Sequence, residues 1–257
     1  MGNAPTGSND LTADDVTALE QARSIRDGDA WYLENVLRRG NMEGAAPPLP
    51  PSQTPISDKA FNMIVMFEVT SQVAYQAHYQ HPTWPQGASG VTIGIGYDVG
   101  YVSQNLLSQD WKDAIPDAMI QALIPAVDVR GADADQLAQR LSATVTVPWS
   151  AAITVHRQKV IPKWVTLVQT SLPNTNLISP DSLGALVSLT YNRGPSFDSP
   201  GDRYTEMRAI KSDMQTKNFA DVPVQIRSME RLWPNVRGLQ IRREQEAALF
   251  ESGLAVA

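Results

Sequence analysis

Eleven residues near the start of the chain, Ala45 to Pro55, read AAPPLPPSQTP, and their five prolines forbid both a helix interior and a central strand there. With φ fixed at each proline and almost nothing apolar to bury, the stretch is expected to be an extended, polyproline-II-like linker. It divides the 257 residues into a short leading segment, 1–44, and a long following domain, 56–257. In the leading segment Leu11, Val16, Leu19, Ile25, Trp31, Leu33, Val36 and Leu37 are spread over a helix or helix pair. Thr12 is placed to cap it, and Gly28 and Gly40 act as breaks. So few apolar side chains make no independent core, whereas the 56–257 region is long enough to bury its own.

The charge is uneven along the chain. The net value is −6, which disfavours a nucleic-acid partner. Residues 1–59 carry five basic and nine acidic side chains, whereas 203–243 carry nine basic and four acidic, so a basic C-terminal part lies behind an acidic total. The chain has no cysteine, which excludes thiolate catalysis, zinc fingers and iron-sulfur clusters and leaves the redox compartment open. The opening MGNAPTGSND has neither a basic nor an apolar region, and no run approaches eighteen apolar residues. Neither a signal peptide nor a membrane span is expected.

Helical periodicity dominates after the linker. Ser57 is placed to cap a helix with apolar positions Phe61, Ile64, Val65 and Phe67. Leu183, Leu186, Val187 and Tyr191 mark a second helix, stopped by Gly194 and Pro195. A third, around Val160 to Leu172, should bend at Pro162, and Leu239 to Leu254 forms a fourth. Only Val91 to Val99 alternates as a strand does. The expected class is α+β, mostly helical with a small sheet.

One acid stands where an acid is costly. Glu68 lies four residues from Ile64 and seven from Phe61, on the stripe that should face the core. Desolvation and a position near the helix C-terminus both favour the protonated carboxyl, the form a general acid requires. The plainer reading puts Glu68 at the edge of the stripe, solvated or ion-paired. The next acid along the chain is Asp98, at the end of VTIGIGYD. Counting by twos puts Thr92, Gly94, Gly96 and Asp98 on one face and Val91, Ile93, Ile95, Tyr97 and Val99 on the other. A straight strand would hold Thr92 and Asp98 about 20 Å apart, so the glycines must bend the chain if both serve one site. Without such a site, the segment reads as a glycine-rich hairpin with a turn aspartate.

A glutamate on a short helix, a loop and then TIGIGYDVG resembles the pesticin-like branch of the phage-type lysozymes, muramidases of the lysozyme-like superfamily. ALVSLTYNRG (185–194) and GLQIRREQEAALF (238–250) are similar to the central and closing helices of such enzymes. The resemblance spans Ile56 to about Phe250. It implies a two-lobed lysozyme-like α+β fold that hydrolyses the β-1,4 bond between N-acetylmuramic acid and N-acetylglucosamine, with no cofactor. It also implies Glu68 as general acid, with Thr92 and Asp98 positioning or activating water. Here the aspartate follows the threonine, as in the pesticin-like branch, whereas in common phage lysozymes it precedes it. An alternative therefore has Thr92 alone holding the water while Asp98 stabilises positive charge on the sugar.

Other residues carry weaker signals. Trp84, Tyr97 and Tyr101 are aromatic rings suited to stacking on sugars, and Asn192 and Arg193 are further substrate-contact candidates that helix capping explains equally well. His78 and His81 lie in a loop with no adjacent acid, so no metal is expected. The Gly94-x-Gly96 pair has valine where a dinucleotide fingerprint needs its third glycine. Arg242 and Glu246 have the spacing of a helical ion pair.

Two alternatives remain beside hydrolysis: a lytic transglycosylase using Glu68 alone, and a non-catalytic wall-binding or virion-structural module. The expected partner is the peptidoglycan glycan strand, towards which the basic 203–243 stretch would contribute. Made in the cytoplasm without a signal peptide and acting in the bacterial periplasm, the chain would need delivery through residues 1–55 by a phage particle, secretion spike or uptake receptor. An immunity protein would accompany an antibacterial effector.

Overall fold

The computed structural model describes residues 11–23, 25 and 49–255. Among them the secondary structure is mostly helical with one two-stranded antiparallel sheet, a helix-rich α+β arrangement. The chain contacts divide into two compact units, Met1–Phe67 with Pro162–Ala257, and Glu68–Ile161.

The first unit begins with α1 (Ala13–Ala22), where Thr12 and Asp15 form a reciprocal capping box. Residues 49–57 have no regular structure, as the prolines require. They are nevertheless tied to a helix: Ser52 N–H donates to Pro162 O at 3.1 Å, and Ser52 Oγ donates to Gln169 Oε1 at 2.7 Å. The Thr166 hydroxyl donates to Pro50 O at 2.9 Å. The expected linker is therefore a strap in its described part, and α1 belongs to the unit that includes the C-terminal helices. This differs from a domain boundary at 45–55; residues 26–48, where much of the expected leading segment falls, lie outside the described residues.

From Ser57, whose hydroxyl accepts from Ala60 N–H, the chain enters α2 (Asp58–Val69), and the division between the units falls inside this helix. The second unit then comprises α3 (Gln72–His78), β1 (Thr92–Ile93), β2 (Tyr97–Asp98), α4 (Gln104–Trp111), α5 (Asp117–Leu123), α6 (Ala132–Leu141) and α7 (Trp149–Val155). Its core gathers Tyr75, Val91, Ile93, Ile95, Tyr97, Leu107 and Trp111. A π-helical turn, His156–Val160, follows α7. The reason lies just beyond it: Pro162 has no N–H for the i−4 carbonyl, and its ring crowds that carbonyl. The bend expected at Pro162 is thus taken up in the preceding turn.

The chain returns to the first unit with α8 (Ile161–Ser171), α9 (Pro180–Arg193), α10 (Thr205–Thr216), α11 (Val222–Ser228) and α12 (Arg237–Leu254). Ser179 caps α9, Pro180 opens it, and Gly194 at φ 73° ends it. Every residue of α9 from Ser182 to Arg193 is buried, which makes it the central helix of this unit. Its principal partner is α12, which also packs on α1. At the α1 crossing, a Cβ on Gly238 would overlap Ala18 O and Ala22 Cβ, so only glycine admits the two helices at this separation.

Burial makes the polar side chains of α9 and α12 into one network. Ser188 Oγ donates to Glu246 Oε1 at 2.6 Å, Arg242 Nε reaches the same oxygen at 3.2 Å, and Arg243 Nη2 lies 2.9 Å from Glu246 Oε2. The Arg242–Glu246 pair has the expected spacing but is buried, so its role is internal to this unit and it is not a solvated pair. Arg227 grips Glu244 and Glu251, and Arg231 grips Glu206 and Asp202. Several arginines of the 203–243 stretch are thus paired with acids of the chain itself, among them the solvent-exposed Asp202, Glu244 and Glu251.

Arg237 of α12 pairs with Asp15 of α1. The Thr12 N–H, the Arg237 guanidinium and the Thr12 hydroxyl hold the Asp15 carboxyl down to about 2 from the usual 3.8. A lowered folded-state pKa stabilises above the unfolded value and loses that contribution as pH falls through the folded one. Asp15→Asn should therefore lower the urea midpoint at neutral pH. The gap from wild type should close as pH falls from about 4 to about 2.

Candidate functional site

The hairpin is built around a register that the strand count alone does not give. Thr92 of β1 stands opposite Asp98 of β2, and Ile93 stands opposite Tyr97. Gly94 at φ 59° and Gly96 at φ 68° make the turn between them, a conformation side-chain-bearing residues rarely adopt. The bend required for Thr92 and Asp98 to meet is therefore a reversal. Thr92 spends its own backbone groups on the other side: its N–H donates to Thr83 O at 2.8 Å, and its carbonyl accepts from Thr83 N–H at 2.9 Å. Val99 N–H donates to Val91 O at 2.8 Å, so Thr92 and Asp98 form a non-hydrogen-bonded pair. Such pairs have Cα atoms about 4.5 Å apart and side chains on one face.

Burial follows the alternation. Val91, Ile93, Ile95, Tyr97 and Val99 are buried, while Thr92 and Asp98 are half-buried. The Asp98 carboxylate is held by the backbone: Oδ2 accepts from Gly90 N–H and Oδ1 from Gly100 N–H, both at 2.9 Å. The second bond caps the 3-10 turn Val99–Tyr101. Both partners must be glycine, because a Cβ on Gly90 would strike Asp98 Oδ1 and Gly100 Cα, and one on Gly100 would lie 2.6 Å from Val129 O. Arg130 closes the arrangement: its backbone bridges to Gly90, and its Nε donates to Gly100 O at 3.0 Å. The turn-aspartate reading therefore has a direct structural basis. A carboxylate oxygen that accepts one N–H keeps a second lone pair, so an acceptor role at a site is still open to it.

Glu68 belongs to the same compact unit as Thr92 and Asp98. It is 3% exposed at the penultimate position of α2, along with buried Phe61, Ile64, Val65 and Phe67, so the stripe does face inwards and a solvated Glu68 is excluded. Two residues on, Thr70 has φ 65°, an unusual conformation for a β-branched residue, before Ser71 caps α3.

The other sequence candidates have different places. Tyr97 is in the core, edge-on to Trp111 at 5.4 Å with its hydroxyl donating to Asp110 Oδ2 at 3.0 Å, which corrects its assignment as a sugar-stacking ring. The signal was present in the sequence, since counting by twos already put it on the apolar face. Trp84 and Tyr101 are half-buried and brace the loop between them: Trp84 Nε1 donates to Ser89 O at 3.0 Å, and Tyr101 Oη donates to Ala88 O at 2.6 Å. The Arg130 guanidinium lies 5.0 Å above the Tyr101 ring.

Asn192 and Arg193 are in the first unit and buried. Asn192 Oδ1 accepts from Arg243 Nη2 at 3.1 Å, and Arg193 Nη2 donates to Arg203 O at 2.6 Å with its guanidinium 5.1 Å from the Trp233 ring centre. Both are core residues of the helical network, which corrects their assignment as substrate contacts. His81 Nδ1 lies 3.2 Å from Val145 O.

A family model described as Domain of unknown function (DUF8812) matches residues 64–161, which nearly coincide with the second compact unit and include Glu68, Thr92 and Asp98. No curated protein matches the chain.

Asp98→Asn would turn one acceptor oxygen into an amide donor facing a backbone N–H. The substitution should cost about 1–3 kcal/mol, read as a lower denaturation midpoint with faster amide exchange at Gly90 or Gly100. An unchanged midpoint and unchanged exchange would mean that the carboxylate does not hold the hairpin.

Proposed function

We propose that the chain is a lysozyme-like muramidase that hydrolyses the β-1,4 bond between N-acetylmuramic acid and N-acetylglucosamine in peptidoglycan. The observation that carries this reading is the Thr92–Asp98 cross-strand pair, a hydroxyl and a carboxylate on one sheet face, in the same compact unit as a buried glutamate. Its family assignment rests on the resemblance in the TIGIGYDVG segment.

In this mechanism Glu68 is the general acid. As the glycosidic C–O bond breaks, the Glu68 carboxyl proton passes to the leaving oxygen. Positive charge develops on the anomeric carbon and ring oxygen, as in other glycosidases. A water held by Thr92 bonds to the anomeric carbon and gives up a proton to Asp98. Because two amides fix its oxygens, Asp98 is first a positioned negative charge that favours the cationic transition state, and second the acceptor of that proton. Attack by water on the opposite face would invert the anomeric centre.

The substrate lies outside the inner membrane, and no helix among the described residues is long and apolar enough to cross one. Reaching the wall through a phage, a secretion apparatus or an uptake route is part of the proposal. The packing of α1 on α12 favours a structural role for that helix over a detachable docking element.

Mass analysis of fragments released from purified sacculi tests the chemistry. Wild type should release reducing ends, and Glu68→Gln should be slower by about 10²-fold or more. Fragments ending only in 1,6-anhydro sugars would replace hydrolysis with lytic transglycosylation, and full activity in Glu68→Gln would leave that carboxyl without a catalytic task.

A further inference from the structure

The sheet pairing extends one residue beyond Thr92. Thr83 and Thr92 exchange both backbone hydrogen bonds in an antiparallel bridge, so they are directly opposite and their side chains share a face. Thr92 is in turn opposite Asp98. Thr83, Thr92 and Asp98 therefore form one polar row across the sheet, on the face opposite buried Val91, Ile93, Tyr97 and Val99.

The two hydroxyls of this row are lightly used. Thr92 Oγ1 has a single long contact, 3.5 Å to Gly90 O, and the Thr83 hydroxyl has no protein partner among the described residues. Both threonines are half-buried and thus reachable by water. Opposite residues in such pairs have Cβ atoms about 4.5–5.5 Å apart, and a hydroxyl–water bond is about 2.8 Å long. Two threonine hydroxyls at that separation can therefore hold one water between them.

We propose that Thr83 is a second water-positioning residue, sharing with Thr92 the hold on the molecule that attacks the anomeric carbon. This inference rests on the muramidase reading. Two hydroxyls define the direction of a water's lone pair where one leaves it free to swing. Without Thr83 the water is less often in line, and the C6 hydroxyl of the same muramoyl residue competes for the anomeric carbon. That competing step forms the C6–O–C1 bond and breaks the same glycosidic bond. The Glu68 proton again goes to the leaving oxygen; the C6 hydroxyl closes on the face that oxygen has vacated and returns its own proton to the Glu68 carboxylate, and a 1,6-anhydro end results.

Thr83→Val removes the hydroxyl at nearly constant volume, and Thr83→Ser keeps it. On purified sacculi, Thr83→Val should form reducing ends about tenfold more slowly with KM unchanged, the size expected for one lost neutral hydrogen bond. It should also raise the proportion of 1,6-anhydro ends, while Thr83→Ser stays within about twofold of wild type in rate and product. The product ratio does not depend on how much enzyme is folded, so it reads the effect even if the valine variant is unstable. Wild-type rate and product ratio in Thr83→Val would overturn the assignment of Thr83 alone. A rate loss in both variants with no change in product ratio would also overturn it, as a packing effect. No glycan cleavage by wild type would overturn the muramidase reading and the role of Thr83 with it.

Discussion

Two backbone N–H groups on one carboxylate hold the shape of the candidate site. Asp98 joins Gly90, at the entrance to the hairpin, to Gly100, just beyond its exit, so the same side chain that faces Thr92 also closes the loop that presents it. Charge-assisted bonds to amides are stronger than neutral ones, and here they replace the ladder that a two-residue strand is too short to supply. The glycines follow from this, since any side chain at Gly90 or Gly100 would occupy the space the carboxylate and its neighbours need. A functional aspartate and a structural one are then not alternatives: an oxygen fixed by an amide is immobile, and immobility is what electrostatic stabilisation of a transition state requires.

The helical unit solves a different problem. Its central helix, α9, is enclosed along most of its length, so Ser188, Asn192 and Arg193 must find partners inside. They find them chiefly on α12 and in the segment after α9, around Glu246, Arg243 and the carbonyl of Arg203. Burying such charges gains little net stability compared with an apolar core, but leaving any one of them unpaired is costly. The effect is to restrict which face of α12 can meet α9.

Much of the fold was legible where local signals agreed. The helices at 58–69 and 180–193 each combine an apolar stripe with a capping serine, and the helix at 237–254 lies where periodicity puts it. The short helices at 72–78, 117–123, 149–155 and 222–228 did not stand out, because seven residues make two turns and too few apolar positions to establish a period. Those at 132–141 and 205–216 do carry helical spacing, in Ala134, Ala138 and Leu141 and in Met207, Ile210 and Met214, but with few large apolar side chains to mark it. The inward face of Glu68 was readable from its spacing to Ile64 and Phe61. The commitments of Asn192, Arg193, Trp84 and Tyr101 were not, because their partners lie on other elements or across a loop.

The sequence by itself determined that an acid would lie on an apolar helix face, that 91–99 would alternate, and that prolines would keep the linker, described from residue 49 to 55, out of regular structure. These are consequences of 3.6- and 2-residue periods and of a ring that fixes φ, all local to the chain. Only the tertiary structure decided that Thr92 faces Asp98 and Thr83 faces Thr92, that Asp98 is clasped by two amides, and that Arg242 and Arg243 turn inwards. Register and pairing depend on which backbone groups meet across space, and neither composition nor spacing encodes that meeting.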